Sequence, residues 1–486
     1  MNTYKTVSEA HDALDRGELT VEKWVGQTIA RAQKSELNAF LHFPTERALE
    51  KAREADRTQA LNGGKVPRQK FPLFGIPLAV KDNLTVENVR TTCASRVLDN
   101  YIPPYTATAV ARLESAGAIC FAKTNLDEFA MGGSNENSAY GAVIHPTHSD
   151  RIPGGSSGGS AAAVGGGFCI AALGSDTGGS IRLPASYCGI VGLKPSYGRI
   201  SRYGLVAFAS SLDQVGPLTT SVEDSALLLD LMSGHDPMDS TSARLPATRT
   251  LAALKQQWSW KGLSVGVPRQ FYEPGIQNEV RVSIQAVLDQ IMQDGGKIIP
   301  VDLPHVKHAV AVYYLIAVSE ASSNLSRFDG VRFGVRPPQA TEANDLKSFY
   351  KSVRSQFGPE VKRRILLGTF ALSAGYVDQY FHRAAQVRRL IQQDLTKAFE
   401  SVDLILGPVS TTTAFRRGEK SHNPLSMYLN DLFTIPANLA GLPGMSVPCG
   451  HDAEGLPIGL QIMAPIFEEE KLLRAANWVE KRGYPA

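Results

Sequence analysis

Residues 153–186, PGGSSGGSAAAVGGGFCIAALGSDTGGSIRLPAS, limit what this chain can become. Such a density of glycine and serine suits a flexible linker. A linker would not contain FCIAALG, an apolar run that wants burial, nor set Asp176 and Arg182 around its last GGS. Glycines permit close packing where side chains would block the path. The stretch therefore reads as a small-residue helix at GSAAAVGG, a central strand at FCIAALG, a turn at DTGGS and a helix opening at IRLPAS.

The rest of the chain repeats this alternation. Thr6-x-x-Glu9 is a capping box ahead of a short helix that stops at Gly17. Thr20 caps a second helix, with Trp24, Val25, Thr28, Ile29 and Ala32 on one face. LFGIPLAVKDN, 73–83, reads as a buried strand ending in Lys81, TATAVARLESAG, 106–117, as a helix closed by glycine, and AICFAK, 118–123, as a strand. The middle, 245–400, is more helical and more charged, with helical spacing in VRVSIQAVLDQIMQDGG and GYVDQYFHRAAQVRRLIQQDLTKAFESV. VDLILGP, GMSVPCG and IGLQIMAP return to strand character. Strands alternating with helices predict an α/β fold with a sheet covered on both faces. There is no internal repeat, low-complexity tail or Pro/Ser linker, so residues 1–486 are expected to form one continuous domain. Its core is expected at about 70–220, with a helical insertion at about 245–400.

Composition removes several function classes. The formal net charge is +3, from 50 Lys and Arg against 47 Asp and Glu, too small to predict a nucleic-acid or membrane partner. Five widely spaced cysteines without a CxxC predict thiols in a reducing compartment. The start, MNTYKTVSEAHDALDRGEL, has no apolar signal core, and no run approaches the ~18 apolar residues of a membrane span; a cytoplasmic location is expected. GxxxxGK[ST] is absent and no GxGxxG follows a strand, so no ATP loop is expected here. HPTH at 145–148 and HVKH at 305–308 are short histidine pairs without a third ligand, which argues against a metal.

Two serines compete as nucleophile. GSSGG, 155–159, formally matches G-x-S-x-G with Ser157 at its centre, but that motif needs a buried strand leading in, and SDRIP precedes it. Histidines 235, 305, 308, 382, 422 and 451 sit in no convincing loop signature for a triad. Ser180 is better placed, after a buried strand and a tight TGG turn. The N–H groups of Thr177, Gly178, Gly179 and Ser180 can converge there on an oxyanion. A serine needs a base, and Lys81 follows the apolar run GIPLAV. Burial can bring a lysine from its free pKa of ~10.4 to ~7–8, where it accepts a proton. From spacing alone, a strand-end lysine reaching for solvent is the simpler reading of Lys81.

Together, GIPLAVKDN and GGSSGGSAAA…GSDTGGSIRLPAS followed by CGIVGLKPSYGRIS resemble the amidase signature family. The resemblance implies the amidase signature fold and a Ser–cisSer–Lys triad. Lys81 is then the base, Ser156 the serine of a cis peptide that relays the proton, and Ser180 the nucleophile. RTTCAS, KTNLDEFAMGGSNENSAYG, SRYGLVAFASSLDQVGPLT, EVKRRILLGTFALSAGY and NDLFTIPANLAGLPG are similar to one branch, the glutaminase subunits of tRNA-dependent amidotransferases. This likeness runs from near residue 5 to about residue 480.

The branch implies hydrolysis of L-glutamine through a glutamyl ester on Ser180, with release of ammonia. It implies partner subunits B and C. The first of these, using ATP and Mg²⁺, would activate Glu-tRNA(Gln), or Asp-tRNA(Asn), and receive the ammonia, with no cofactor on this chain. By the same resemblance Arg364 pairs with the substrate α-carboxylate, Asp431 with its α-amino group, and Tyr313 or the adjacent Tyr314 contacts it. The MGGS loop, 131–134, walls the pocket. One fixed cation and one fixed anion are what a zwitterion needs. The alternatives are a free-standing amidase of another small amide and a dead scaffold, which would have had to lose Lys81, Ser156 or Ser180; all three are present.

Overall fold

The computed structural model describes residues 4–272, 275–421 and 423–483. Eleven strands form one mixed sheet: β1 (Phe40–His42), β2 (Pro77–Lys81), β3 (Ile119–Thr124), β4 (Ala171–Asp176), β5 (Val191–Lys194), β6 (Gln214–Thr219), β7 (Ser264–Pro268), β8 (Lys297–Val301), β9 (Leu404–Pro408), β10 (Gly444–His451) and β11 (Pro457–Met463). Their spatial order is β1-β3-β2-β4-β6-β5-β10-β11-β9-β7-β8. Strand β2 runs parallel to β3 and β4, and β7 runs parallel to β8 and β9; the remaining pairs are antiparallel.

Both faces of the sheet are covered, and the pleat shows how. Leu78, Val80, Cys120 and Leu173 join one core, while Ala79, Phe121 and Ala172, their chain neighbours, join another. A strand buried on both faces cannot alternate apolar and polar residues, which is why PLAVK and ICFAKT read as continuous runs. The first core is closed by the helices Thr108–Ser115, Val222–Met232 and Glu469–Arg482, the second by Val21–Gln33 and Gly158–Gly165.

Local signals worked as their chemistry predicts. Thr6 and Thr20 accept hydrogen bonds from the amides of Glu9 (3.1 Å) and Lys23 (3.2 Å). Val21–Gln33 buries Trp24, Val25, Thr28, Ile29 and Ala32. The 245–400 stretch departs from expectation. It holds the helices Asn278–Gln293, Ala309–Asn324, Pro359–Ala371 and Arg383–Ala398, but also β7 and β8. LSVGVP and GKIIPV form short strands, the second at the sheet edge and the first just inside it, and the burial of neither alternates cleanly enough for a sequence reading to catch.

Candidate active site

Lys81 ends β2 and Asp176 ends β4, its parallel neighbour, so both emerge at the C-terminal edge of the parallel strands. The Lys81 side chain is wholly buried. Its Nζ lies 2.8 Å from Ser156 Oγ, 2.8 Å from Ser157 Oγ and 2.9 Å from Ser175 Oγ. Burial disfavours the ammonium and lowers the pKa to about 7, against the opposing charges of Asp127, Asp176 and Asp213. The neutral amine is therefore accessible near neutral pH, so this strand-end lysine does not snorkel.

The three hydroxyls are not equivalent. Ser157 Oγ donates to the Ser175 carbonyl at 3.1 Å, and Ser175 Oγ accepts from Asn83 Nδ2 at 2.9 Å. The Ser157 proton is thus committed to a carbonyl at a site without exposure, which argues against a nucleophilic role. No strand leads into the GSSGG segment, as the hydrolase motif would require. Ser156 follows a cis peptide bond, Gly155–Ser156, and its hydroxyl has Lys81 as its partner among the described residues.

Ser180 stands at the rim, 8% exposed, after the 177–179 turn and just before the helix Arg182–Tyr187. Its carbonyl accepts from the Ser157 amide at 3.2 Å, which ties the two GGS segments together. No hydrogen bond joins Ser156 Oγ to Ser180 Oγ among the described residues, so the relay contact is not formed in this state.

The oxyanion turn requires one correction. Asp176, whose pKa burial raises but the charges of Arg182 and Lys194 and the hydrogen bonds from Arg182 and Asn438 together lower to about 2, accepts the Gly179 amide at 2.8 Å. Gly179 N–H therefore faces the protein, not the cleft. The amides of Thr177, Gly178 and Ser180 have no acceptor among the described residues and remain the available donors. Gly179 is required for another reason: φ is +143°, and a Cβ there would sit 2.3 Å from Thr434 Oγ1. A Cβ on Gly178 would meet Tyr313 Cζ at 2.7 Å.

That contact separates the two tyrosines. Tyr313, buried in the helix Ala309–Asn324, abuts the oxyanion turn. Tyr314 instead stacks on Tyr428 at 3.9 Å and lies 5.2 Å from the Arg364 guanidinium. Arg364, 3% exposed on the helix Pro359–Ala371, donates Nε to Glu360 Oε1 at 2.8 Å. Asp431 is 9% exposed, and its carboxylate makes no hydrogen bond or ion pair among the described residues. Burial, helped by the charge of Asp176, raises its pKa to about 8. Asp431 Oδ1 lies 3.2 Å from where a Gly179 Cβ would be, and Oδ2 3.8 Å from that of Gly133, so it spans the oxyanion turn and the MGGS loop. A cleft of about 220 Å³ lies between Gly132, Ser134, Glu360, Arg364, Met427 and Tyr428.

Residues that sequence reasoning passed over support these groups. Ser175 and Asn83 complete the lysine's surroundings. Glu128 accepts the Gly358 amide at 2.7 Å and so holds the start of the helix that carries Arg364. Glu360 had a signal, since it lies four residues before Arg364 on one helix face. Asp213 had none beyond its place in SSLDQVGP. The five cysteines are free and buried. His145 Nε2 lies 2.8 Å from the Tyr187 carbonyl, and His305 pairs with Asp394; His422 lies outside the described residues.

A buried lysine bonded to a cis-linked serine, with a second serine at the end of an amide-lined turn, is the arrangement that the resemblance to amide hydrolases of the amidase signature leads one to expect. The chain belongs to the Amidase family, whose profile matches residues 23–473. It is 51% identical to the A subunit of glutamyl-tRNA(Gln) amidotransferase of Synechococcus sp. (strain RCC307), over 97% of this chain and 96% of that protein. Identity is also 51% with the protein of the same name from Moorella thermoacetica, over 98% and 96%. Its fold is similar to the crystal structure of the glutamyl-tRNA(Gln) amidotransferase A subunit from Thermotoga maritima, with a TM-score of 0.76 and 39% identity over 96% of this chain and 95% of that one. The peptide amidase of Stenotrophomonas maltophilia is similar too, with a TM-score of 0.79 at 27% identity over 99% and 97%.

Proposed function

We propose that this chain is the glutaminase subunit of a tRNA-dependent amidotransferase, acting in the cytoplasm and supplying ammonia for conversion of Glu-tRNA(Gln) to Gln-tRNA(Gln), and of Asp-tRNA(Asn) where that is the acceptor. One observation carries the choice of substrate: a buried cation, Arg364, lines a cleft with Gly132 and Ser134 of the MGGS loop, and a buried carboxylate without a partner among the described residues, Asp431, lies between that loop and the 177–179 turn. A free amino acid meets both; a peptide amide has lost at least one of those charges.

In this reading Arg364 takes the α-carboxylate of L-glutamine, Asp431 gives its proton to solvent as the α-ammonium docks against it, and Tyr313 packs along the side chain. Ser180 Oγ attacks the side-chain amide carbon while its proton passes through Ser156 to neutral Lys81. The amides of Thr177 and Gly178 hold the oxyanion. The proton returns by the same route to the leaving nitrogen, and ammonia departs. Water then cleaves the glutamyl ester. The partner subunits B and C, ATP and Mg²⁺ belong to the acceptor half of the reaction.

The test is to incubate the purified protein, with any subunits that accompany it, with L-glutamine, quench in acid and map the adduct by peptide mass spectrometry. A glutamyl group on Ser180 is expected; one on Ser157 would overturn the assignment. Ser180→Ala in the assembled complex should abolish glutamine-driven transfer yet spare transfer from ammonium chloride.

A further inference from the structure

The oxyanion turn is gripped by two buried carboxylates, Asp176 and Asp213, and the mechanism above gives neither a task. Asp176 has its cation, Arg182, at 3.0 Å. Asp213 has no ion pair among the described residues and is 3% exposed. It is held instead by three donors. Its Oδ1 accepts the Thr177 hydroxyl at 2.7 Å, and its Oδ2 accepts the amides of Phe208 at 2.9 Å and Ala209 at 3.0 Å. Thr177 is the first residue of the oxyanion turn. The Phe208 ring lies 5.5 Å from the Arg364 guanidinium.

A single carboxylate thus joins the turn that receives the developing charge to the aromatic support of the cation assigned to the substrate carboxylate. The segment it holds is pinned from the far side as well. Asn324 Nδ2 donates to the Phe208 carbonyl at 3.2 Å, and Glu320 accepts the Ser211 amide at 2.9 Å. Both lie on the Ala309–Asn324 helix, which also presses Tyr313 against Gly178. A buried carboxylate without a cation is costly to keep unless its hydrogen bonds need it. Here those bonds run to both halves of the site.

We propose that Asp213 is a positioning residue that couples the oxyanion turn to the Arg364 clamp, so that seating the substrate carboxylate aligns the Thr177 and Gly178 amides on the reacting carbonyl. The proposal rests on the glutaminase reading above. It goes beyond that reading by giving a task to a residue that touches no substrate. Binding at the remote end is thereby converted into rate at the reacting end.

The test uses Thr177→Val, Thr177→Ser and Phe208→Leu in the full chain purified with its accompanying subunits, assayed on L-glutamine with kcat and KM resolved. Thr177→Val removes the hydroxyl held by Asp213 and leaves Asp213 its bonds to Phe208 and Ala209, so it avoids the misfolding that Asp213→Ala invites. It should lower kcat by about 100-fold, the scale of a small misplacement in a catalytic array, with KM little changed. Thr177→Ser, which restores the hydroxyl, should recover most of that loss. The Thr177→Val and Phe208→Leu effects on kcat should fall short of multiplicative in the double variant. Multiplicative effects, or a Thr177→Val enzyme with wild-type kcat, would overturn the coupling while leaving the glutaminase reading intact. A wild-type protein that leaves L-glutamine uncleaved while hydrolysing another amide would sink that reading, and this proposal with it.

Discussion

The signature half of the site and the clamp half are built by opposite means. Lys81, Ser156 and Ser180 come from strand ends and glycine turns in the segments 77–83, 151–164 and 171–182, in which every residue is buried. Arg364 and Asp431 come from a helix and a short turn in the helical half, whose outer surface leaves Leu366 70% and Phe370 48% exposed. In the first half each group is fixed by backbone geometry and by neighbouring hydroxyls. In the second, a single guanidinium rests on Glu360 and three aromatic rings, and a single carboxylate stands alone. Chemistry tolerates little movement; substrate choice needs only one side chain to change. A peptide amidase sharing this fold at 27% identity is what such a division permits.

The largest expected effect lies in the signature half. Ser180→Ala should lower glutamine hydrolysis by at least about 10⁴-fold, and adding Lys81→Ala should make it little worse, because nucleophile and base act as one unit. Multiplicative losses in the double variant would mean that Lys81 serves some other step. The base also fixes the pH response. Its pKa is lowered to about 7, so the active neutral amine is present above that pH and is lost below it. With L-glutamine saturating, kcat should fall about tenfold per pH unit on the acid side. A flat kcat from pH 5 to 8 would remove Lys81 from the role of base.

The same contrast explains what a reader of the sequence can see. GIPLAVKDN and the two GGS segments are legible because the chemistry constrains the backbone, and backbone constraints leave glycines and apolar runs behind. The strand ending at Lys81 and the turn before Ser180 follow from residue type alone. The clamp leaves no such trace: Arg364 is one arginine in KRR and Asp431 one aspartate after an asparagine, visible only through family resemblance. The Gly179 amide was misjudged for a related reason. A run of consecutive amides predicts a nest, but only the fold reveals that Asp176 turns back to take one of them. Asp213 and Glu128 were missed because their partners lie on other elements, Thr177 in one case and Gly358 in the other.

The clamp half should break differently. Arg364→Lys keeps the charge and loses the fork. KM for L-glutamine should rise and, through the Asp213 coupling, kcat should fall, together lowering kcat/KM by about 100-fold. Activity on 4-aminobutanamide, which lacks the α-carboxylate, should be the same in both proteins. An equal loss on that amide would show that Arg364 holds the pocket together and does not read the substrate.

The smallest effect tests the wall that the two halves share. A Cβ on Gly132 would fall 2.3 Å from Asp127 Cγ, so Gly132→Ala must displace a buried carboxylate and should lower both Tm and activity. A Cβ on Gly133 would meet nothing nearer than Asp431 Oδ2 at 3.8 Å, with Leu183 and Met427 at 4.0 Å. Gly133→Ala therefore fits the empty protein and occupies the space beside the carboxylate that the substrate ammonium needs. Its Tm should match wild type, kcat should hold, and KM should rise by about 10-fold, the scale of one methyl group in a fitted pocket. The MGGS loop would then be a wall whose adjacent glycines serve different halves, Gly132 the fold and Gly133 the substrate. An unchanged KM would place the ammonium elsewhere and leave Asp431 without its assigned partner.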